Sequence, residues 1–199
     1  GEKIAEAVSF FVDSFSKGCS ITVFWSYVYQ LQFFQKWLEQ IWAESLGQAQ
    51  TRAKKPAPLV STPLMVAGVS AQHSVLQQFM DGPRDKAILF FRYAEPPYEN
   101  RMTINKLDKF SYLEGLTDFE VFDAESRAVE EALARQNVVC GSLEMKGVDA
   151  RSLGELLFFF QSVVGALGEY FDMNVFVQPG VELGKKLAQQ KLQSLKERK

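Results

Sequence analysis

Glu44, His73, Gln178 and Lys185 are the side chains whose type and setting suit proton transfer or ligand recognition. Glu44 follows Trp37 by one heptad, so both project near the edge of one apolar helix stripe. A carboxylate against aromatic surface is held toward its protonated form and can serve as a general base; an ordinary solvated glutamate has the same spacing. His73 is the single histidine, the side chain that titrates unperturbed near neutral pH. It precedes Met80 at the edge of a short helix's apolar face, with Gln72, Ser74 and Gln77 nearby, which also fits a satisfied, partly buried imidazole. Lys185 shares a helix side with Val181, Ala188 and Leu192 while Lys186 turns to solvent, so it either snorkels or is held for a purpose. Gln178, beside Pro179 at a helix start, either caps that helix or meets a ligand hydroxyl. Spacing leaves each pair of readings open.

The elements that must position these groups are legible in the hydrophobic periodicity. Lys3 to Ser16 sets Ile4, Ala7, Val8, Phe11 and Phe15 on one helical face, with Gly18 as a stop. Cys19 to Phe24 reads as a short strand, and Leu31 to Leu46 as a helix through Leu31, Phe34, Leu38, Ile41 and Trp42. Residues 48–62, with Pro56, Pro58 and the cations Arg52, Lys54 and Lys55, have loop chemistry and are expected to be exposed and mobile. Gln72 to Met80 reads as a short helix closed by Asp81-Gly82-Pro83, and Lys86 to Tyr93 is the strongest buried-strand signal. Pro96 to Leu113 has little periodicity; Asp123 is expected to cap a helix running through Arg135, and Val138 to Met145 reads as a strand. Ser152 to Phe171 is apolar nearly all round, as a helix between layers would be, and a final helix occupies 179–199. Helices alternating with short strands predict an α/β fold with a mainly parallel sheet, in one domain over residues 1–199.

Composition narrows the function classes. The chain is 47% hydrophobic and 23% charged, enough to build a core, and 22 Lys+Arg against 24 Asp+Glu give a formal charge of −2. That charge lacks the cationic excess of nucleic-acid binding. The most apolar run, Leu156 to Leu167, falls short of the roughly 20 residues that span a bilayer, so no membrane helix is predicted. Two distant cysteines and one histidine predict no disulfide framework, no metal and a reducing cytoplasm. There is no glycine-rich phosphate loop, and Phe158 to Phe160 reads as core. The opening Gly-Glu-Lys has neither an initiator Met nor a signal peptide, which reads as the interior of a longer chain.

Three segments, in order, resemble the carboxyl-terminal half of the glucose-6-phosphate isomerase (phosphoglucose isomerase) family. They are Trp37-Leu38-Glu39-Gln40-Ile41-Trp42-Ala43-Glu44-Ser45-Leu46-Gly47, then Gln72-His73-Ser74 with Asp81-Gly82-Pro83-Arg84-Asp85-Lys86, then Gln178-Pro179-Gly180-Val181-Glu182-Leu183-Gly184-Lys185. The resemblance implies the second sugar-isomerase (SIS) domain: a three-layer α-β-α sandwich around a five-stranded, mainly parallel sheet. It implies that Glu44 moves a proton between carbons 1 and 2 of the open sugar, that His73 and Lys185 help open the ring, and that Gln178 and Gln72 lie near the substrate. No cofactor is implied. The family is a homodimer whose histidine enters the site from the neighbouring subunit, so the resemblance implies that His73 acts across the interface. It also implies a preceding SIS domain carrying most of the phosphate contacts, without which this chain alone is expected to be nearly inactive.

The sequence departs from the family pattern at three places. Gln48 stands where a Lys usually follows Gly47, Ala71 replaces the Asp or Gly before Gln72-His73, and Val177 replaces the Asp before Gln178. Besides the isomerase, two readings remain open: a sugar-phosphate-binding SIS module with a regulatory role, and an isomerase fused to another enzyme of sugar-phosphate metabolism such as a transaldolase.

Overall fold

The computed structural model describes residues 1–58, 60–97, 102–105 and 109–197. In chain order the elements are α1 (Glu2–Ser16), β1 (Ile21–Ser26), α2 (Gln32–Leu46), β2 (Thr62–Ala67), α3 (Leu76–Asp81), β3 (Lys86–Tyr93), α4 (Asp118–Arg135), β4 (Val139–Met145), α5 (Ala150–Tyr170) and α6 (Glu182–Glu197). The strands form one parallel sheet in the order β2-β1-β3-β4, with Phe24 opposite Met65 on one side and Leu89 on the other. Alternating side chains of β1 and β3 build the two cores. Phe24, Leu89 and Phe91 meet α1, α2 and α5, while Val23, Trp25, Ile88 and Phe90 meet α3 and α4. The first core has an aromatic centre set among aliphatic side chains: Trp42 meets Phe11 and Phe24 edge-on at 4.7 and 5.3 Å, and Phe160 meets Phe24 at 6.0 Å. Each buried ring contributes roughly 1.5–3 kcal/mol of transfer free energy.

α2 is fastened to the sheet at both ends. Near its start, the buried Gln35 amide donates to the Phe24 carbonyl at 2.9 Å and the Val66 carbonyl at 3.1 Å, bridging β1 and β2. Near its end, Trp42 Nε1 donates to the Ser61 carbonyl at 3.1 Å, just before β2 begins. α2 therefore runs antiparallel to the strands, and its carboxyl end lies at their amino ends.

Several expectations change. The described residues hold four strands rather than five. β2 begins at the last residue of the stretch read as loop and runs through residues to which no element was assigned; it is an edge strand, half-buried at alternate positions, and carries Pro63, which an edge tolerates. α4 begins at Asp118 and not at Asp123: Thr117 and Glu120 form a reciprocal capping box, with Thr117 N–H donating to Glu120 Oε2 at 2.7 Å, whereas Asp123 is interior and accepts from Arg127 Nε. α5 is not buried all round. Leu156, Phe160, Val163 and Leu167 enter the core while Arg151, Glu155, Phe158 and Glu169 face out. At 21 residues it is long and apolar enough to cross a membrane by length and composition alone. α6 buries no residue at all. Of the aperiodic stretch from Pro96 to Leu113, residues 98–101 and 106–108 lie outside the described residues, as do 59, 198 and 199.

Candidate functional site

Glu44 sits in the last turn of α2, exposed, with the Gln40 amide one turn below it at 3.4 Å from each carboxylate oxygen. Such long contacts orient a carboxylate only weakly. The adjoining feature is stronger: Gln48 Nε2 donates to the Val177 carbonyl at 2.8 Å, across 129 positions of sequence, and reaches the Glu44 and Ser45 carbonyls at 3.4 Å. One amide thus ties the carboxyl end of α2 to the residue before Gln178. Gln178 precedes a single 3-10 turn, Pro179–Val181, makes no capping bond and is exposed, with no side-chain hydrogen-bond partner among the described residues. Of the two readings open for Gln178, the structure does not show capping: Pro179 at the first position already removes an orphan N–H. Lys185 lies further on in α6, where Nζ meets Glu182 Oε1 at 2.8 Å with both side chains mostly exposed. It does not lie on a packed apolar face, because Val181 and Leu192 are exposed as well.

His73 is placed elsewhere. β2 ends at Ala67, and Gly68, at φ +45°, turns the chain into a 3-10 segment, Val69–His73, while its carbonyl accepts from Trp25 Nε1 at 3.1 Å. His73 closes that segment, exposed and not on the face of α3, which begins only at Leu76. Beside it, the half-buried Gln72 spends its amide on the Tyr27 hydroxyl at 2.8 Å. The Asp81 to Lys86 segment is structural: Arg84 closes the end of α3 by donating to the carbonyls of Phe79, Met80 and Gly82. Since β2 runs from the Glu44 end of the sheet toward His73, its six residues put the two on the order of 15–20 Å apart. One chain brings Glu44 and Gln178 together and keeps His73 at the opposite pole.

The 48–62 segment is exposed over most of its length but fastened. The Arg52 guanidinium forks onto Glu169 at 3.0 and 2.8 Å and reaches Asp172 through Nε at 3.1 Å, while its backbone N–H donates to the Asp172 carbonyl at 2.7 Å. Hydrogen bonds from Arg52 hold the Glu169 carboxyl below its ordinary value, and the Ala53 N–H does the same for Asp172, with Arg52 adding to it. Sequence reading did not find this clamp, since its partners lie well over a hundred positions apart. Among the described residues no group of three or more His, Cys, Asp or Glu side chains is gathered as metal ligands would be. Burial pushes the Cys140 thiol up to about 12 and raises that of Cys19, so neither is poised as a nucleophile.

Residues 4–199 match the family described as phosphoglucose isomerase. The chain belongs to the phosphoglucose isomerase family. It is 35% identical over 176 residues to the probable glucose-6-phosphate isomerase of Halobacterium salinarum, covering 88% of this chain and 39% of that protein. It is 33% identical over 174 residues to the glucose-6-phosphate isomerase of Carboxydothermus hydrogenoformans, covering 85% and 37%. Among solved structures it resembles a hypothetical protein from Thermus thermophilus, with a TM-score of 0.83, 29% identity and coverage of 96% of this chain and 48% of that one. It shares the fold of a glucose-6-phosphate isomerase from Chlamydia trachomatis, with a TM-score of 0.78 at 22% identity, covering 96% and 38%. The chain therefore spans about two-fifths of the length of the curated relatives it matches.

Two of the departures from the phosphoglucose isomerase pattern meet in space. Gln48 and Val177 are the two partners of the 2.8 Å bond, made through the Val177 backbone carbonyl.

Proposed function

We propose that this chain is the carboxyl-terminal SIS portion of an enzyme that interconverts glucose 6-phosphate and fructose 6-phosphate through an enediol. Membership of the phosphoglucose isomerase family and the Gln48 tie between the Glu44 helix and the Gln178 segment support this reading most directly. In it, Glu44 is the general base that carries a proton between carbons 1 and 2. The proton beside a carbonyl is weakly acidic, so the step needs a positioned carboxylate and polar groups at the oxygens where charge develops. Gln178, exposed at the start of its segment, faces the sugar hydroxyls, and Gln72 is the more distant contact. Lys185 and His73 assist ring opening.

The opposite placement of Glu44 and His73 supports a homodimer in which His73 completes the partner's site. The exposed stripe of α6 and the missing phosphate contacts belong, in the same reading, to an amino-terminal SIS domain, so the isolated chain turns over substrate at a small fraction of the intact enzyme's rate. Two free thiols fit a reducing compartment, here the cytoplasm. The test is an interconversion assay on the intact protein. Turnover of both sugars supports the isomerase; saturable sugar-phosphate binding without turnover replaces it with a regulatory module.

A further inference from the structure

His73 ends a 3-10 segment, Val69–His73, and is exposed. Such segments are short and their hydrogen bonds poorly aligned, so a side chain carried on one is fixed by whatever holds the segment. Its middle is held by Ala71, which is buried in the second core. Its first end is held by Trp25, whose Nε1 donates to the Gly68 carbonyl, while the Gly68 N–H donates to the Ser26 carbonyl at 2.6 Å. Its last end is held beside His73 itself, where the Tyr27 hydroxyl accepts from the Gln72 amide at 2.8 Å. Ser74, on the other side of His73, bonds back into the segment, to the Ser70 and Ala71 carbonyls at 3.5 and 3.3 Å, which leaves Gln72 to tie this end to the sheet.

Trp25 and Tyr27 stand two positions apart along β1 and its continuation, so they share a face. Their rings stack at 6.1 Å with 12° between planes, Phe90 of β3 lies 5.4 and 6.4 Å from them, and the Tyr27 N–H donates to the Phe91 carbonyl at 2.9 Å. The tether therefore runs from the two central strands to the residue before His73. Burial raises the Tyr27 hydroxyl above its ordinary value, against the Gln72 bond, which lowers it, so the acceptor is a neutral phenol.

We propose that Tyr27 is a positioning residue for His73: its hydroxyl, anchored on the central strands, fixes Gln72 and with it the peptide that carries His73 into the partner's site. This rests on the isomerase reading, in which His73 helps to open the sugar ring across the interface. Tyr27 itself touches no substrate. A misplacement of about 1 Å costs a catalytic group on the order of a hundredfold, so a tether one residue from the imidazole is felt in the rate.

The experiment is complementation in mixed dimers of the intact enzyme. Tyr27→Phe removes one oxygen and keeps the ring stack; alone it is expected to lower kcat/KM roughly tenfold, the scale of one lost hydrogen bond. Refolded with Glu44→Gln it is expected to reach about a quarter of wild-type activity, because the mixed dimer pairs an unaltered Glu44 with an unaltered, well-placed His73. Refolded with His73→Ala it is expected to stay near about a twentieth, because every site then lacks the imidazole or receives it misplaced. A chain that is merely loosened complements neither. Glu44→Gln with His73→Ala is the control: no recovery in that pair overturns the dimer reading and the proposal with it, whereas recovery there and none for Tyr27→Phe with Glu44→Gln overturns the proposal alone. Unchanged kcat/KM in Tyr27→Phe does the same. If Tyr27→Phe does not fold, Gln72→Met breaks the same bond from a half-buried position. A roughly tenfold fall in kcat with KM little changed then supports the proposal, and unchanged turnover, or a loss confined to KM, overturns it.

Discussion

At the scale of single residues, the site depends on small polar ties. The Gln48 bond to the Val177 carbonyl is made at the surface, where one hydrogen bond is worth about 0.5–1.5 kcal/mol. Gln48→Ala is therefore expected to leave the fold intact and lower kcat/KM of the intact enzyme roughly tenfold by loosening Gln178 against Glu44; an unchanged kcat/KM contradicts that role. The Arg52 clamp carries a pH dependence of definite sign. Both Glu169 and Asp172 are lowered in the folded state, so their contribution is present above the ordinary carboxylate range and is lost as pH falls through the folded values. Amide hydrogen exchange at Ala53 and Asp172 should accelerate beyond its intrinsic pH trend as pH drops below about 4, and Arg52→Ala should reduce that excess while leaving the part that the Ala53 N–H bond to Asp172 supplies. Residue types were legible in the sequence where they carried a motif: Glu44, Gln72, His73, Gln178 and Lys185 all stand in segments that resemble the family. Their partners were not, because Arg52 to Glu169 and Gln48 to Val177 are contacts that only the tertiary fold creates.

At the scale of elements, the capping box at Thr117 and the unpacked α6 mark the extremes of local support. Thr117→Ala removes one half of a reciprocal pair and is expected to cost about 1 kcal/mol, within roughly 0.5–2, read from urea unfolding of the chain; no measurable change means the box is ornamental. α6 has no buried residue, and an isolated helix of its length is marginal in water. Its amides are expected to exchange orders of magnitude faster than those of β1 and β3 in the isolated chain, and to be protected once the intact protein covers Val181, Leu192 and Leu195. Periodicity sufficed for α1, α2 and β3, whose apolar faces are continuous. It failed at β2, where an edge strand buries too little to leave a pattern, and at the start of α4, where the signal is Thr117 with Glu120 and not a hydrophobic repeat. It also misjudged α5, since a run of phenylalanines conceals that Phe158 faces solvent while Phe160 does not.

At the scale of the whole molecule, a parallel sheet holds Glu44 near one pole and His73 near the other, and in the proposed function it is a second copy that completes the site. That geometry yields a sharp expectation for mixed dimers of intact subunits. Glu44→Gln and His73→Ala homodimers should each be nearly inactive, whereas refolding them together should restore about a quarter of wild-type activity, because half the dimers are mixed and each mixed dimer holds one unaltered site. No recovery on mixing contradicts the crossed arrangement. The central claim is that Glu44 is the base of an aldose-ketose isomerase. The measurement that tests it most directly is the rate of glucose 6-phosphate and fructose 6-phosphate interconversion by the intact protein, wild type beside Glu44→Gln. A fall on the order of a hundredfold to ten-thousandfold with KM little changed is the expected result; a Glu44→Gln enzyme that keeps the wild-type rate contradicts the account.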